Sequence, residues 1–362
     1  MKVSKRFVPV AALCLAAVAM SSFPVSSRAL AAHSQAPITG KVGFLFSDFT
    51  TSARWVFDRD YFKAALKKLD PQVQVVVTDA KAAQTTQQNQ AKSDLTAGVK
   101  VLIDVPVDSG QAAQIVKAAH QNSPRVPVLA YDRLITGAKE DAYASFNGFS
   151  VGVQQGTFIK NHVKKGGTIV EIAGASTDNN AHLFHNGARS VLDPLFKSGY
   201  FKLGYFKFTP NWDDATAQRE MASALNSLSN KVDGVLVAND GMAVAAIQAL
   251  KAQKLAGKIP VTGQDATVAG LQQILLGNQS MTVYKPLRKL TAAAAHIVDL
   301  WLHGKTFTSS VATPTGAGPT PSSLAKVLTV TKANIKSTVI KDGFVTKAAL
   351  CSGIPASACS GL

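Results

Sequence analysis

The chain has 362 residues, 46% of them hydrophobic, and its 38 Lys and Arg against 22 Asp and Glu give a formal net charge of +16. Its length predicts two domains, because a single hydrophobic core stops growing at roughly 250 to 300 residues. The basic residues are scattered and form no stripe with aromatic residues. The composition therefore argues against a nucleic-acid-binding surface and is interpreted as a solubility feature.

The N-terminus has the order of a secretory signal peptide. Basic residues within Met1–Arg6 precede an apolar stretch of about 14 residues, Phe7–Met20, and small residues follow at Ala29–Ala31. A membrane-spanning helix needs about 20 apolar residues, so a permanent anchor is the weaker interpretation. We therefore expect residues 1–32 to be a signal peptide and the mature chain to be exported.

Removal of this leader leaves 34 basic and 22 acidic residues, a net charge of +12, in about 330 residues. No later apolar run is long enough to span a bilayer, so the mature chain is expected to be water-soluble. Cys14 raises the alternative of a lipoprotein. Leu13 argues against it, because it stands where a small residue is expected.

Short apolar segments alternate with amphipathic segments from residue 41 onward. The first series has predicted strands at 42–46, 73–78, 101–105 and 126–130 and helices at 55–69, 84–97 and 112–120. After a break near 145–152, the second series has strands at 167–173, 202–208, 234–238 and 261–263 and helices at 180–196, 215–228 and 242–253. Mostly apolar strands separated by helices predict parallel sheets covered on both faces. The sequence thus indicates two doubly wound α/β lobes.

The C-terminal part has weaker patterns. Ser309–Ser323 is rich in Ser, Thr, Pro and Gly and is interpreted as an irregular loop. Val327–Val330 is a further predicted strand, and the chain from Lys341 onward is interpreted as a poorly packed tail. Cys351 and Cys359 are the cysteines that remain after export, and an oxidising compartment predicts a disulfide between them.

Polar side chains follow almost every predicted strand. In open parallel sheets ligands bind beyond the carboxyl ends of the strands, where these residues should converge. The residues that we select there are Arg54, Trp55, Asp132, Arg133, Asp178, Asn180, Trp212, Asn239, Asp240, Asp265 and Lys285. Carboxylates and amides accept and donate hydrogen bonds to hydroxyl groups, and a Trp can cover the apolar face of a sugar ring. This set therefore suits a neutral polyol.

Several of these residues have a structural alternative. Asp178, Asn239 and Asp240 follow strands where helix N-caps are common. Arg54 and Arg133 could instead lie in solvent or pair with Asp58 and Asp132. Capping alone does not explain two Arg, a Lys and a Trp at strand ends, so both interpretations stay open residue by residue. Phosphate-binding glycine-rich motifs are missing after these strands, and no metal site or cofactor is expected.

Six segments resemble the periplasmic D-xylose-binding proteins of the pentose and hexose group of substrate-binding proteins. They are RWVFDRD at 54–60, VLAYDR at 128–133, DNNAHLF at 178–184, AIQAL at 246–250, GQDA at 263–266 and MTVYKP at 281–286. The resemblance covers residues 41–304 in order and spacing. It implies a type I periplasmic binding fold, which is two doubly wound parallel-sheet lobes joined by a three-strand hinge.

The resemblance also implies roles for individual residues. Nine positions match those that contact the sugar in the family: Arg54, Asp132, Arg133, Asp178, Asn180, Trp212, Asn239, Asp265 and Lys285. Trp55 and Asp240 are placed beside the site. The implied hinge strands lie near Asn147, near 279–285 and near 304–309. At the first of these the family pattern Ser-Phe-Asp-Asn is replaced by Ser145-Phe146-Asn147-Gly148, which removes a carboxylate and introduces a glycine.

This fold implies lobes that are not continuous in sequence. The expected first lobe is residues 40–147 plus 285–308, the second is 148–284 plus 309–346, and 347–362 form the tail with the disulfide. His182 and His185 depart from the longer basic residues that the family carries on the helix after Asn180. We expect these departures to affect hinge closure and partner contacts more than the sugar pocket.

The expected function is that of a monomeric periplasmic receptor that delivers a monosaccharide, D-xylose, to a membrane ABC permease. Alternatives within the fold are another pentose or hexose, a signalling sugar, and service to a chemoreceptor. A sugar-responsive transcription regulator would need a DNA-binding helix-turn-helix where this chain has a leader. A glycosidase is disfavoured, because Arg and Lys neighbours lower the pKa that a proton-donating carboxyl requires. The chain is therefore not expected to be an enzyme.

Overall fold

The computed structural model describes residues 38–50, 52 and 54–362. The predicted signal peptide, residues 1–32, lies outside them. Across the described ranges, no helix combines the length and the apolar character needed to cross a membrane.

The secondary structure alternates strands and helices as the sequence predicts. The described strands are β1 (Gly40–Phe46), β2 (Val73–Asp79), β3 (Val101–Asp104), β4 (Val128–Tyr131), β5 (Ala142–Phe146), β6 (Thr168–Ala173), β7 (Lys202–Phe208), β8 (Gly234–Val237), β9 (Thr282–Tyr284), β10 (Ala312–Pro314), β11 (Pro319–Ala325) and β12 (Leu328–Val330). The described helices are α1 (Trp55–Leu69), α2 (Gln84–Thr96), α3 (Ala113–Gln121), α4 (Gly148–His162), α5 (Asn179–Lys197), α6 (Asp214–Ser227), α7 (Asp240–Ala252), α8 (Val268–Leu275), α9 (Leu287–Leu302) and α10 (Lys347–Cys351).

The first sheet of the described chain has the strand order β10-β11-β5-β4-β3-β1-β2. All neighbours are parallel except β10 and β11, which are antiparallel. Its central strands bury side chains on both faces because successive residues point to opposite sides. Phe44 and Ile103 pack in the cluster that contains Phe62 of α1, whereas Leu45 packs in the cluster that contains Ile115 of α3. These alternating apolar residues fix the register of the sheet.

The second lobe has β7, β6 and β8 as parallel neighbours. Single bridges from Val235 to Val261 and from Gln264 to Val283 extend the pairing to β9, which pairs with β12 antiparallel. The predicted strand at 261–263 is thus reduced to isolated bridges. In each lobe the first strand lies between the second and the third: β1 lies between β2 and β3, and β6 lies between β7 and β8. The carboxyl ends of the parallel strands of each lobe therefore meet at one edge.

The chain passes between the lobes three times, after β5, after β9 and after β11. This agrees with the three-strand hinge of the fold. The predicted third crossing near 304–309 and the assignment of residues 309–346 to the second lobe are wrong in part. Residues 312–325 complete the first sheet, because β11 pairs with β5 through Ser322 and Tyr143. The third crossing lies between Ala325 and Leu328.

The interpretation of Ser309–Ser323 as an irregular loop is also wrong, because it contains β10 and most of β11. The sequence of β11 lacks the apolar residues that predict a buried strand. Its buried side chains carry hydroxyl groups instead, and these groups form hydrogen bonds inside the protein. Thr320 Oγ1 donates to the carbonyl oxygen of Glu140 at 3.3 Å. Ser322 Oγ lies 2.8 Å from Thr313 Oγ1 and 2.8 Å from the carbonyl oxygen of Thr320.

The predicted poorly packed tail is instead part of the second lobe. Val345, Leu350 and Cys359 are buried in a cluster with Leu271 and Ile274 of α8. The structure places Cys351 and Cys359 as a pair beside this cluster, and the disulfide between them stays a prediction. The tail lacks the βα pattern, and its packing arises from single apolar residues in short helical turns.

Glu140 is an unusual member of the first lobe, since both its carboxyl oxygens are buried without a hydrogen-bond partner among the described residues. Burial raises the pKa of Glu140 to about 8. A folded-state pKa above the unfolded one means that folding takes up a proton between these values. The carboxyl's contribution to stability is therefore complete at low pH and is lost as pH rises toward 8.

The variant Glu140→Gln should remove this pH dependence. The unfolding free energy of the wild-type protein should fall relative to the variant by about 1.4 kcal/mol per pH unit between pH 5 and 8, since one pKa unit corresponds to that energy. Urea unfolding at several pH values measures the difference. The exposed Asp60, whose pKa Arg59 lowers, supplies the control Asp60→Asn, which should leave the curves parallel. If the unfolding free energies of the wild type and Glu140→Gln depended on pH in the same way, the raised pKa of Glu140 would be contradicted.

Candidate ligand-binding site

A cavity lies at the carboxyl ends of the strands of both lobes. Its lining comes from loops and helix N-termini that follow the strands. The lining residues are Ser52, Arg54, Trp55, Asp132, Arg133, Asp178, Asn180, Phe184, Trp212, Asn239, Gln264, Asp265 and Lys285.

Arg54 precedes α1 and is buried at the centre of the site. Its Nε lies 2.9 Å from Asp58 Oδ2, one Nη lies 2.9 Å from Asp132 Oδ2, and the other lies 3.9 Å from Asp265 Oδ1. Burial by itself lowers the pKa of Arg54, but the three carboxylates outweigh it and raise the pKa. Tyr131 donates its hydroxyl hydrogen bond to Asp58. The guanidinium is thus charged and held from three sides.

A second ion pair joins the two lobes directly. Arg133 of the first lobe lies 2.8 Å, at Nε, from Asp178 Oδ2 of the second lobe. Asp178 also accepts hydrogen bonds from Trp212 Nε1 at 3.1 Å and from the backbone N–H of Asn180 at 2.8 Å. Burial raises the pKa of Asp178, and the charge of Arg133 opposes that rise. The carboxylate is therefore held in place by partners from both lobes.

Further polar contacts close the cleft. Ser52 Oγ donates to Asp265 Oδ2 at 3.0 Å, and Asn180 Nδ2 donates to Asp132 Oδ1 at 3.1 Å. Each of these bonds joins a residue of one lobe to a residue of the other. Lys285, at the second crossing, lies 3.3 Å from Asp265 Oδ1. The structure is therefore that of a closed cleft.

Two of the central carboxylates sit on strained backbone. Asp132 has φ of 61° and Asp265 has φ of 94°, in the left-handed region that residues with side chains rarely adopt. Asp132 is held there by β5, because Ser145 Oγ and Tyr143 Oη both donate to its carbonyl oxygen. Such strain persists only where surrounding contacts enforce it, and it is common at functional sites.

Three buried acceptor atoms in the lining have no hydrogen-bond partner among the described residues: Asp132 Oδ2, Asp265 Oδ1 and Gln264 Oε1. Arg54 lies near the first of these atoms and Lys285 near the second. Buried acceptors are costly when unsatisfied. A ligand with several hydroxyl groups would supply the missing donors.

Aromatic side chains form the apolar walls of the cavity. Trp55 lies under the Arg54 guanidinium at 4.5 Å and is 5.6 Å from that of Arg133. The rings of Trp212 and Phe184 pack edge to face, with their centroids 6.2 Å apart. Gly174 leaves the space that Trp212 occupies, since a Cβ atom there would lie 2.1 Å from Trp212 Cη2.

The structure brings ten of the eleven predicted residues into the lining, and Asp240 is the exception. Asp240 is fully buried behind the site, where Thr267 N donates to its Oδ2 and Gln279 Nε2 donates to its Oδ1, both at 2.8 Å. Burial raises the pKa of Asp240 to about 7. Asp240 thus lies behind the cavity and not in its lining, where it holds the loop that carries Asp265.

The capping alternative is correct for two residues that also line the cavity. Asp178 caps α5, and Asn239 caps α7 by accepting from Met242 N at 2.9 Å. The same side chain thus starts a helix and faces the cavity. Direct contact of all these residues with a ligand stays a prediction.

Sequence reasoning missed Ser52, Phe184 and Gln264 as lining residues. Gln264 precedes Asp265 at a strand end, and Phe184 lies one helical turn after Asn180, so spacing gave a signal for both. Ser52 lies in the loop after β1, where many hydroxyl residues are equivalent in sequence.

The predicted hinge residues lie at the first crossing. Asn147 caps α4 by accepting from Ser150 N at 2.9 Å. Gly148 is the first residue of α4, and a Cβ atom there would lie 3.1 Å from Leu183 Cδ1. The glycine thus serves close packing of α4 on α5 in this structure. A role of both residues in hinge motion stays a prediction.

Two α/β lobes that close on a small polar cavity define a two-lobed ligand-binding protein. The sequence model of the periplasmic binding protein domain matches residues 42–306, and the chain belongs to this family. It is 38% identical to the D-xylose-binding periplasmic protein of Escherichia coli K12 over 304 residues, which covers 84% of this chain and 90% of the relative. The protein of the same name from Haemophilus influenzae is 37% identical over 308 residues, with 85% and 91% covered.

A solved structure has the same fold. The ABC transporter solute-binding protein of Clostridium phytofermentans with bound β-D-glucose superimposes with a TM-score of 0.78 at 28% identity. The match covers 86% of this chain and 99% of that protein. The type I periplasmic binding fold predicted from the sequence is confirmed.

The variant Gly174→Ala should displace Trp212 and break its hydrogen bond to Asp178. Overpacking of this kind should lower the unfolding free energy by about 1 to 3 kcal/mol, measured by urea unfolding followed by circular dichroism. Gly110→Ala is the matched control, because a Cβ atom there meets its nearest neighbour at 3.5 Å. Equal stability of the two variants would show that Gly174 is not required for the position of the indole.

Proposed function

We propose that this protein is a periplasmic receptor that binds one monosaccharide, D-xylose, and delivers it to an ABC import permease. The observation that carries the proposal is the cavity between the lobes, which is lined by buried acceptors. Within the described part of the chain, Gln264 Oε1 has no hydrogen-bond partner, and Asp132 Oδ2 and Asp265 Oδ1 have only the nearby cations Arg54 and Lys285. Hydroxyl groups are the donors that fit them, because each can donate one hydrogen bond and accept others.

The charge balance of the cavity supports a neutral ligand. The acids in the lining are Asp132, Asp178 and Asp265, and the bases are Arg54, Arg133 and Lys285. These charges cancel formally, so a phosphate or a carboxylate would leave the cavity with an excess of negative charge. A pyranose instead offers hydroxyls to the rim of charged groups and C–H faces to Trp212 and Trp55.

The choice of xylose rests on similarity. The two relatives described above, 38% and 37% identical over most of their length, are both named for D-xylose binding. The segments that resemble the family include those that position Asp132, Asp178, Asp265 and Lys285. The periplasmic location, export through residues 1–32 and the permease partner belong to the same proposal, and so do the monomeric state and the alternative service to a chemoreceptor.

We propose binding without catalysis. Burial by itself would raise the pKa of Asp132, but Arg54, Lys285 and Arg133 together lower it. Asp132 is thus ionised at neutral pH and unsuited to protonate a leaving group. A sugar can contact acceptors of both lobes only in the closed state. Binding therefore shifts the equilibrium between the open and closed states toward the closed one.

Replacement of Asp265 by Ala should weaken D-xylose binding by about tenfold or more, because a charge-assisted acceptor is lost and Lys285 loses its partner. Isothermal titration calorimetry measures the affinity. Gln264→Ala removes an acceptor without disturbing an ion pair and should also weaken binding by about tenfold. Asp60→Ala removes an exposed acid from α1 outside the cavity and should bind as the wild type does. Unchanged affinity in both cavity variants would refute the site.

A panel of D-xylose, D-ribose, L-arabinose, D-glucose and D-galactose should rank D-xylose first in thermal stabilisation, since a ligand that binds only the folded state raises the melting temperature with its affinity. Chromatography of the incubated sugars should recover them unchanged. A larger rise in melting temperature with another sugar would reassign the ligand to that sugar but would leave the proposed receptor function standing. Conversion of a sugar into a product would overturn the receptor assignment.

A further inference from the structure

A cluster of ligating side chains lies at the other end of the first lobe from the cavity. Asp70 follows the last residue of α1, and Asp299 and His303 lie one turn apart at the end of α9, which packs against α1. Among the described residues, these three bring one carboxylate or imidazole atom each within 4.8 Å of one another. Both helices start next to the cavity, at Arg54 and just after Lys285, so their C-terminal ends lie about 22 Å away from it.

The distances in the cluster match a small coordination sphere. His303 Nε2 lies 3.1 Å from Asp70 Oδ1 and 3.5 Å from Asp299 Oδ1. Ligands of a tetrahedral zinc ion bind at about 2.0 to 2.2 Å, which places neighbouring ligand atoms about 3.3 to 3.6 Å apart. The Asp70 and Asp299 oxygens lie within 4.8 Å of each other. A metal ion could therefore take the place of the Nε2 proton once the two carboxylates turn toward it.

Burial and charge favour a cation at this position. The Asp70 side chain is only 4% exposed, and its Oδ2 is buried without a hydrogen-bond partner among the described residues. Two carboxylates face one imidazole, and the C-terminal ends of two helices add partial negative charge. A divalent cation would stabilise both carboxylates in their ionised form.

We propose that Asp70, Asp299 and His303 form a binding site for a divalent transition-metal ion, with Zn²⁺ as the representative probe, whose fourth ligand is water. The imidazole nitrogen favours Zn²⁺ over Ca²⁺, which takes six to eight oxygen ligands. The ion ties together the ends of α1 and α9, the two helices whose beginnings present Arg54 and Lys285 to the cavity. Its role is structural and does not depend on the identity of the sugar.

Untagged protein, treated with EDTA and then dialysed, should bind one Zn²⁺ per chain at pH 7.5 in isothermal titration calorimetry. Bound Zn²⁺ should also raise the melting temperature, because it binds the folded state. His303→Gln and Asp299→Asn should each weaken this binding by about tenfold or more and abolish the thermal shift. Both residues are partly exposed, and circular dichroism in EDTA checks that the variants fold.

His296→Gln is the matched control, since His296 is exposed on α9 and outside the cluster. It should retain the full stoichiometry and thermal shift. Zn²⁺ binding that persists in His303→Gln and Asp299→Asn would assign the ion to other surface histidines and overturn the proposal. The absence of binding in the wild type, or tighter binding of Ca²⁺ than of Zn²⁺, would overturn it as well. D-xylose affinity measured in EDTA tests the sugar site separately.

Discussion

A buried arginine is the constraint on which the rest of the site depends. Arg54 has almost no contact with solvent, so its charge must be balanced within the protein. Asp58 comes from its own helix, Asp132 from the end of β4, and Asp265 from the opposite lobe. The pairing with Asp265 needs both lobes together. The charge that stabilises the first lobe thus also favours closure of the cleft.

The sequence predicted those parts of the fold that depend on local pattern. The βα alternation gave two lobes because central parallel strands must be apolar on both faces, as Val101–Asp104 and Val128–Tyr131 nearly are. The polar residues at strand ends predicted most of the cavity lining, because parallel strands bring their carboxyl ends to one edge of the sheet. Asp240 failed this rule because the residue next to Asn239 points into the loop that precedes α8, where it satisfies backbone and amide donors.

Features that depend on distant parts of the chain could not be predicted in this way. β11 carries buried hydroxyls whose partners lie in the β4–β5 connection and in β10. The tail around Leu350 becomes a packed element only through contact with α8. Asp70 and His303 are 233 residues apart, and no spacing rule relates them. In each case the deciding interaction is tertiary, and the local sequence resembles an ordinary loop or helix end.

The return of the chain to the first sheet has a consequence for the order of assembly during synthesis. β11 completes that sheet beside β5, yet it follows the whole second βα series in the sequence. A ribosome that has released the first 150 residues has therefore supplied β1 to β5 but neither α9 nor β11. The first lobe can close its core only after residue 325 has emerged, so the two lobes must finish folding almost together.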